Sequence, residues 1–150
     1  MKQQIKYYHQ LEEFQNSSLQ SHQVLHIDLS ENEISDQGVL VLGSALENCT
    51  NLSNLTLCLV VNQIGDQGAS ALGFSLANCT NLSNLTLDFR GNEIGDQGAL
   101  VLGFTLANCT NLSKLELYLG ENQIHQSQQL KVKSKCLKSK RLVTFEICFY

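Results

Sequence analysis

Thiolates are both nucleophiles and metal ligands, so the six cysteines are the first candidates for chemistry. Their spacing contains no Cys-x-x-Cys pair and no histidine partner, and so forms no zinc motif. Cys49, Cys79 and Cys109 recur 30 residues apart, each just after a helical stretch, which suits small buried, reduced thiols stacked coil on coil. Cys136 stands in a core leucine slot, whereas Cys58 and Cys148 fall between strand leucines and are expected to be exposed. Nine Asn-x-Ser/Thr triplets would be glycosylation acceptors in a secreted chain. Eight of them are one repeat motif copied along the chain, and the polar start Met1-Lys2-Gln3-Gln4-Ile5-Lys6 lacks the apolar stretch of a secretory signal. Glycosylation is therefore not expected, and a cytoplasmic location is.

Other chemical motifs fail on context. Asp88-Phe89-Arg90-Gly91 resembles a kinase Asp-Phe-Gly only in passing, since no Gly-rich loop, strand lysine or His-Arg-Asp loop accompanies it. His9, His22, His26 and His125 share no spacing, and no Ser-His-Asp set, paired carboxylate site or phosphate loop is present. Neither an enzyme nor a cofactor is expected. Six of the ten basic residues lie at Lys131, Lys133, Lys135, Lys138, Lys140 and Arg141. Without interleaved aromatics they read as the solvated face of a last outer helix, and no nucleic-acid partner is expected.

The elements that must position these residues come from repetition. Asp-Gln-Gly occurs at 36–38, 66–68 and 96–98, and Asn-Cys-Thr-Asn-Leu at 48–52, 78–82 and 108–112, both with a period of 30. Residues 51–80 and 81–110 are identical at 22 of 30 positions without a gap. In each unit leucines alternate along a short strand, as at Leu55, Leu57 and Leu59, and a helix follows with Ala69, Leu72 and Leu76 on one face. Gly65-Asp66 is expected to open that helix, the carboxylate accepting from the free amides of its own first turn. Strands and helices in alternation require a parallel sheet, here of about five strands. The balance of 43% apolar and 16% charged residues can bury a core, and no stretch is apolar enough for a membrane span. A net charge of −4 gives no general attraction to phosphate backbones or anionic membranes.

The pattern Leu52-x-x-Leu55-x-Leu57-x-Leu59-x-x-Asn62-x-Ile64 resembles the leucine-rich repeat family. The helical half, Ile64-Gly65-Asp66-Gln67-Gly68-Ala69 with Leu72 and Leu76, is similar to its ribonuclease-inhibitor-like subclass, which also includes GTPase-activating and nucleotide-sensing receptor proteins. The unit departs from the family's usual pattern by an added Leu-x step between its first leucine and the asparagine. The resemblance implies an α/β leucine-rich repeat solenoid with a curved parallel sheet on the concave face and helices on the convex face. It spans one domain, 1–150, with a helical half-unit at 1–20, repeats at about 21–50, 51–80, 81–110 and 111–140, and the start of a fifth unit at 141–150. The final strand lacks a polar cap, which suggests self-association or a fragment of a longer protein.

Two sets of residues follow. Asn32, Asn62, Asn92 and Asn122, each two places before an isoleucine, are expected to satisfy backbone groups where strands bend into turns, a structural ladder that resembles the family's own. The side chains between the strand leucines should form columns on the concave face. The second and third units differ at eight positions, four of them consecutive at 58/88 to 61/91, so the frame is repeated while the open surface varies. The candidate partner-binding residues are Asp28, Thr56, Cys58, Thr86, Asp88, Arg90, Lys114, Glu116, Tyr118 and Glu146. Mixed charge with Arg90 and Tyr118 suits recognition of a protein partner. The expected function is a non-enzymatic protein-binding scaffold. The alternatives are a GTPase activator, for which Arg90 would be the concave arginine, and the regulatory repeats of a larger receptor or kinase-bearing chain.

Overall fold

A parallel strand cannot return through a tight hairpin, so between successive strands a helix carries the chain back to the end of the sheet at which the next strand starts. The computed structural model describes residues 5–139 and 141–150; the polar start through Gln4 and Lys140 of the basic cluster lie outside the described residues. Six strands, β1 (Ile5–Tyr8), β2 (Val24–Asp28), β3 (Asn54–Cys58), β4 (Asn84–Asp88), β5 (Lys114–Tyr118) and β6 (Thr144–Cys148), form one parallel sheet in chain order. Between them run α1 (Leu11–Gln15), α2 (Asp36–Glu47), α3 (Asp66–Asn78), α4 (Asp96–Leu106) and α5 (Gln126–Cys136). The register advances by one repeat per strand, with Leu55 beside Leu85 and Leu85 beside Leu115. One side of the sheet is thus a continuous leucine surface, and the buried faces of the helices close over it, including Ala69, Leu72 and Leu76. Val132 and Cys136 fill the corresponding slots of α5. Cys49, Cys79 and Cys109 are free and buried, and burial pushes their thiols up to about 12, 11 and 12.

The added Leu-x step has a structural role. Strand β3 opens at Asn54, two residues after the buried Leu52, and beyond its end the Leu59 amide still donates to the Asp88 carbonyl at 2.8 Å. Leu29, Phe89 and Leu119 repeat this bond, so the extra residues lengthen the inter-coil ladder. Each coil then turns through a left-handed residue at one position of the repeat: Glu31, Val61, Gly91 and Glu121, with φ of 57°, 51°, 68° and 54°.

Two sets of polar side chains join the coils across these turns, in opposite directions. Asn92 Nδ2 donates to the Leu59 carbonyl of the preceding coil at 2.8 Å and to its own Phe89 carbonyl at 2.9 Å, while Oδ1 accepts from the Ile64 amide at 3.1 Å. Asn62 serves Leu29, Asn32 and Ile34 in the same way, and Asn122 serves Phe89 and Ile94. Asn32 differs: it is exposed and its side chain reaches only the Ser30 carbonyl at 2.7 Å. Only a short link joins β1 to α1, so the first coil has no equivalent turn for Asn32 to satisfy. The aspartates reach forward instead. Asp36 Oδ1 accepts from the Gly65 and Gly68 amides of the following coil at 2.8 and 2.9 Å, and Asp66 and Asp96 accept from Gly95 and His125. The expectation that Asp66 caps its own helix is corrected: it is the first residue of α3, past the cap position, and its carboxylate points at the next helix start. The approach is close enough that a Cβ at Gly98 would lie 2.4 Å from Asp66 Oδ1 and 2.6 Å from its Cα.

The N-terminal unit also departs from expectation. Residues 1–20 were expected to form a helical half-unit, but among the described ones Ile5–Tyr8 is a strand paired with β2, and only Leu11–Gln15 is α-helical. The apolar residues Ile5, Tyr8, Leu11 and Phe14 are spaced by threes throughout, a pattern that slips about 60° around a helix at each step and never forms a straight stripe. Strand β1 covers the edge of β2 and raises the strand count from five to six. Lys6 of β1 stands in register with Leu25 of β2 and is exposed, a charge on the edge strand of the kind that discourages further pairing.

Candidate protein-binding face

On the side of the sheet away from the helices, the intervening side chains line up across strands. One column is Tyr7, His26, Thr56, Thr86, Glu116 and Glu146, and the next is Asp28, Cys58, Asp88, Tyr118 and Cys148. Two clusters dominate. In the first, Arg90 forks onto Asp88, with Nη2 to Oδ2 at 2.6 Å and Nε to Oδ1 at 2.9 Å, and the guanidinium carbon sits 5.7 Å from the centre of the Tyr118 ring. The Asp88 side chain is 11% exposed and Arg90 50%, so the cation faces solvent and its counter-charge lies beneath it. Hydrogen bonding and charge from Asp88 hold Arg90 above its ordinary range. Burial, then the Glu146 carboxylate, push the Tyr118 phenol up.

In the second cluster, Glu116 accepts from Lys114 Nζ and from Thr86 Oγ1, each at 2.8 Å. Lys114 first and then Thr86 lower the Glu116 carboxyl, and the same contact raises the Lys114 ammonium. Asn84 donates to Asn54 Oδ1 across the neighbouring strands. At the start of the face, Ser30 Oγ donates to Asp28 Oδ1 at 2.7 Å and lowers that carboxyl.

The structure brings Asp28, Thr56, Cys58, Thr86, Asp88, Lys114, Glu116, Tyr118 and Glu146 onto one sheet face, with Arg90 at its rim. Asp88 is a buried counter-ion under Arg90, since the salt bridge draws it down against the sheet. Cys58 and Cys148 are half-buried, not fully exposed, because neighbouring strands stand over a short side chain. Burial first, then the flanking carboxylates of Asp28 and Asp88, raise the Cys58 thiol, which disfavours its nucleophilic form. Tyr7, 60% exposed and 5.2 Å ring to ring from His26, extends the face to a strand that sequence reasoning read as helix. The run Ile5-Lys6-Tyr7-Tyr8, rich in strand-forming residues, was the available signal. Among the described residues no group of three or more His, Cys, Asp and Glu could hold a metal ion. What the face offers is an open, rigid surface of paired charges around an aromatic ring.

A family model described as Leucine Rich repeat matches residues 16–43, 51–73 and 81–103. No curated protein sequence matches the chain. Among solved structures, that of the leiomodin-1 actin-binding site 2 is similar with a TM-score of 0.66 and 17% identity, over 93% of this chain and 77% of that one. Internalin C2 of Listeria monocytogenes str. 4b F2365 gives 0.44 at 24% identity, over 85% of this chain and 52% of that one. Internalin F of the same strain gives 0.39 at 21%, over 89% and 43%.

Proposed function

We propose, from the premise that this is a leucine-rich repeat protein, that it is a non-enzymatic scaffold whose protein partner docks on the concave sheet face around Arg90 and Tyr118. The observation that carries this reading is the pair itself: an arginine held by a buried carboxylate and laid over a tyrosine ring, on a sheet of six strands that fixes both. Pre-positioning lowers the entropy lost on binding, and Arg and Tyr are among the side chains that dominate interface energetics. The fold is shared with a structure whose name assigns it actin binding, which supports protein recognition as a use for a solenoid of this size. A GTPase activator would need an arginine free to reach a phosphate, and Arg90 is committed to Asp88 by two parallel bonds.

The test is an affinity capture with wild-type protein, with Arg90→Ala plus Tyr118→Ala, and with Lys131→Ala plus Lys135→Ala. The first pair is expected to abolish capture of a partner that the wild type and the lysine pair retain, with melting curves unchanged. Loss of capture with the lysine pair alone would move the site to the last helix.

A further inference from the structure

The helical side carries a second surface with a different chemistry. On α3 and α4 the only charged residues are Asp66 and Asp96, both occupied at the helix starts. Phe74 and Phe104, one repeat apart, are 58% and 54% exposed, and Leu130 on α5 is 78% exposed. Phe74 and Phe104 share one slot of the repeat and Leu130 continues the slot of Leu100 one turn earlier, so the exposed apolar side chains adjoin on successive helices, and a patch of that kind marks an interaction surface. Next to them the charge changes abruptly. From Gln126 to Arg141 there is no acidic residue, and Lys131, Lys133, Lys135, Lys138 and Arg141 take part in no ion pair among the described residues. A groove of about 490 Å³ between α4 and α5 sets Leu100 and Leu130 against Lys131, Lys135 and Lys138. The carboxylates of Glu12, Glu13, Asp36 and Glu47 lie on α1 and α2 at the other end of the stack, so the positive charge is local to α5 and the segment after it, beside the outer faces of α3 and α4.

We infer that this helical face binds an anionic membrane surface peripherally, with Phe104 and Leu130 entering the lipid interface while Lys131, Lys135 and Lys138 contact acidic headgroups. Charge complementarity selects an anionic partner, and the apolar side chains beside the lysines suit one that offers a hydrocarbon layer as well. A nucleic acid would satisfy the lysines and leave Phe74, Phe104 and Leu130 in water. The contact groups lie on α4, α5 and the segment that follows α5, and Phe74 on α3 extends the patch to a third helix, with neighbouring packed helices about 8–10 Å apart, a breadth that suits an extended surface. Among the described residues no helix is long and apolar enough to cross a membrane, so the association is superficial. A single weak anchor gives only marginal binding, and apolar insertion combined with a polybasic patch supplies the two signals that stable anchoring needs.

Co-sedimentation with lipid vesicles tests this independently of the sheet-face reading. Wild-type protein is expected to sediment with phosphatidylcholine vesicles containing phosphatidylserine, not with phosphatidylcholine alone, and to be released as salt shortens the screening length. Lys131→Ala, Lys135→Ala and Lys138→Ala together should weaken partitioning on the order of a hundredfold, at about 1 kcal/mol per cation, whereas arginine at the same three positions should preserve it. Phe104→Ser with Leu130→Ser should weaken it about tenfold or more with an unchanged melting curve. Arg90→Ala with Tyr118→Ala should leave it intact. Absence of the wild type from phosphatidylserine vesicles, or equal sedimentation of the triple alanine variant, would overturn the proposal. So would lysine-dependent binding to duplex DNA or polyglutamate that ignores Phe104 and Leu130, which would make the ligand a polyanion without a membrane.

Discussion

Asn92→Ala should be among the most damaging single substitutions in the molecule that leave the leucine core untouched. The residue is 7% exposed, and its side chain makes three inter- and intra-coil bonds at 2.8–3.1 Å. The Phe89 carbonyl keeps a second donor in Asn122 Nδ2, so its loss is partial. The Ile64 amide and the Leu59 carbonyl lose their side-chain partner in a region closed to water. An unsatisfied buried group costs ~1–3 kcal/mol, and the two together amount to about 3 kcal/mol once the second carbonyl lone pair is allowed for. For a chain of this length that corresponds to a fall in melting temperature of roughly 6–12 °C. Asn84→Ala is the matched comparison: the same residue type on the same repeat, half-buried on the open face, bonded to Asn54 and Ser83 side chains. Its cost should stay near 0.5 kcal/mol, a shift of about 2 °C. Circular dichroism melts, repeated as urea titrations to check that the slope is unchanged, measure both. Equal shifts for the two variants would refute the assignment of structural work to the turn asparagine.

Val61 holds a left-handed φ of 51° with a β-branched side chain where the next coil has Gly91, so Val61→Gly should raise the melting temperature by a few degrees and Gly91→Val should lower it; shifts of the same sign would contradict this. Gly98→Ala should cost on the order of 2 kcal/mol because the new methyl meets the Asp66 backbone, and an urea midpoint at or above wild type would show that the coils can separate freely there. Native protein at about pH 8 should leave Cys49, Cys79 and Cys109 unlabelled by a thiol reagent, since burial both shields them and holds them protonated; labelling of all three before unfolding would contradict their place in the core. The Lys114–Glu116–Thr86 cluster should contribute stability that is present above about pH 4, the unfolded carboxyl range, and lost as pH falls through the depressed folded value of Glu116; Glu116→Gln should flatten that acid limb, and an unchanged limb would count against the pairing.

The repeat period makes the register legible in the sequence: once three markers share a spacing of 30, Leu55, Leu85 and Leu115 must be neighbours. The columns of the open face follow from the same arithmetic. What remained hidden is what spacing does not encode. Asp66 at a helix start has the same sequence signature whether it caps its own first turn or the neighbour's, and only the closeness of successive helices decides. Asp88 and Asp28 share one column, yet Asp88 is drawn under Arg90 while Asp28 turns to Ser30, a choice set by the residue two places on. Strand β1 was obscured because a lone edge strand carries no repeat, and its tyrosines fit a loose helical spacing as well as an extended one.

The two polar ladders make the junction between coils, not the coil, the unit that the chain repeats. The aspartate of one coil supplies the acceptor for the next helix start, and the asparagine of the next coil supplies the donor and acceptor for the turn before it. Removing either neighbour leaves unpaired groups in the other, so each junction is complete only when both sides are present. An added coil of 30 residues therefore brings one whole junction and requires no change to those already there. The two ends of such a stack are chemically distinct, since one lacks an upstream carboxylate and the other a downstream amide. Extension by exact duplication is the change that this architecture resists least.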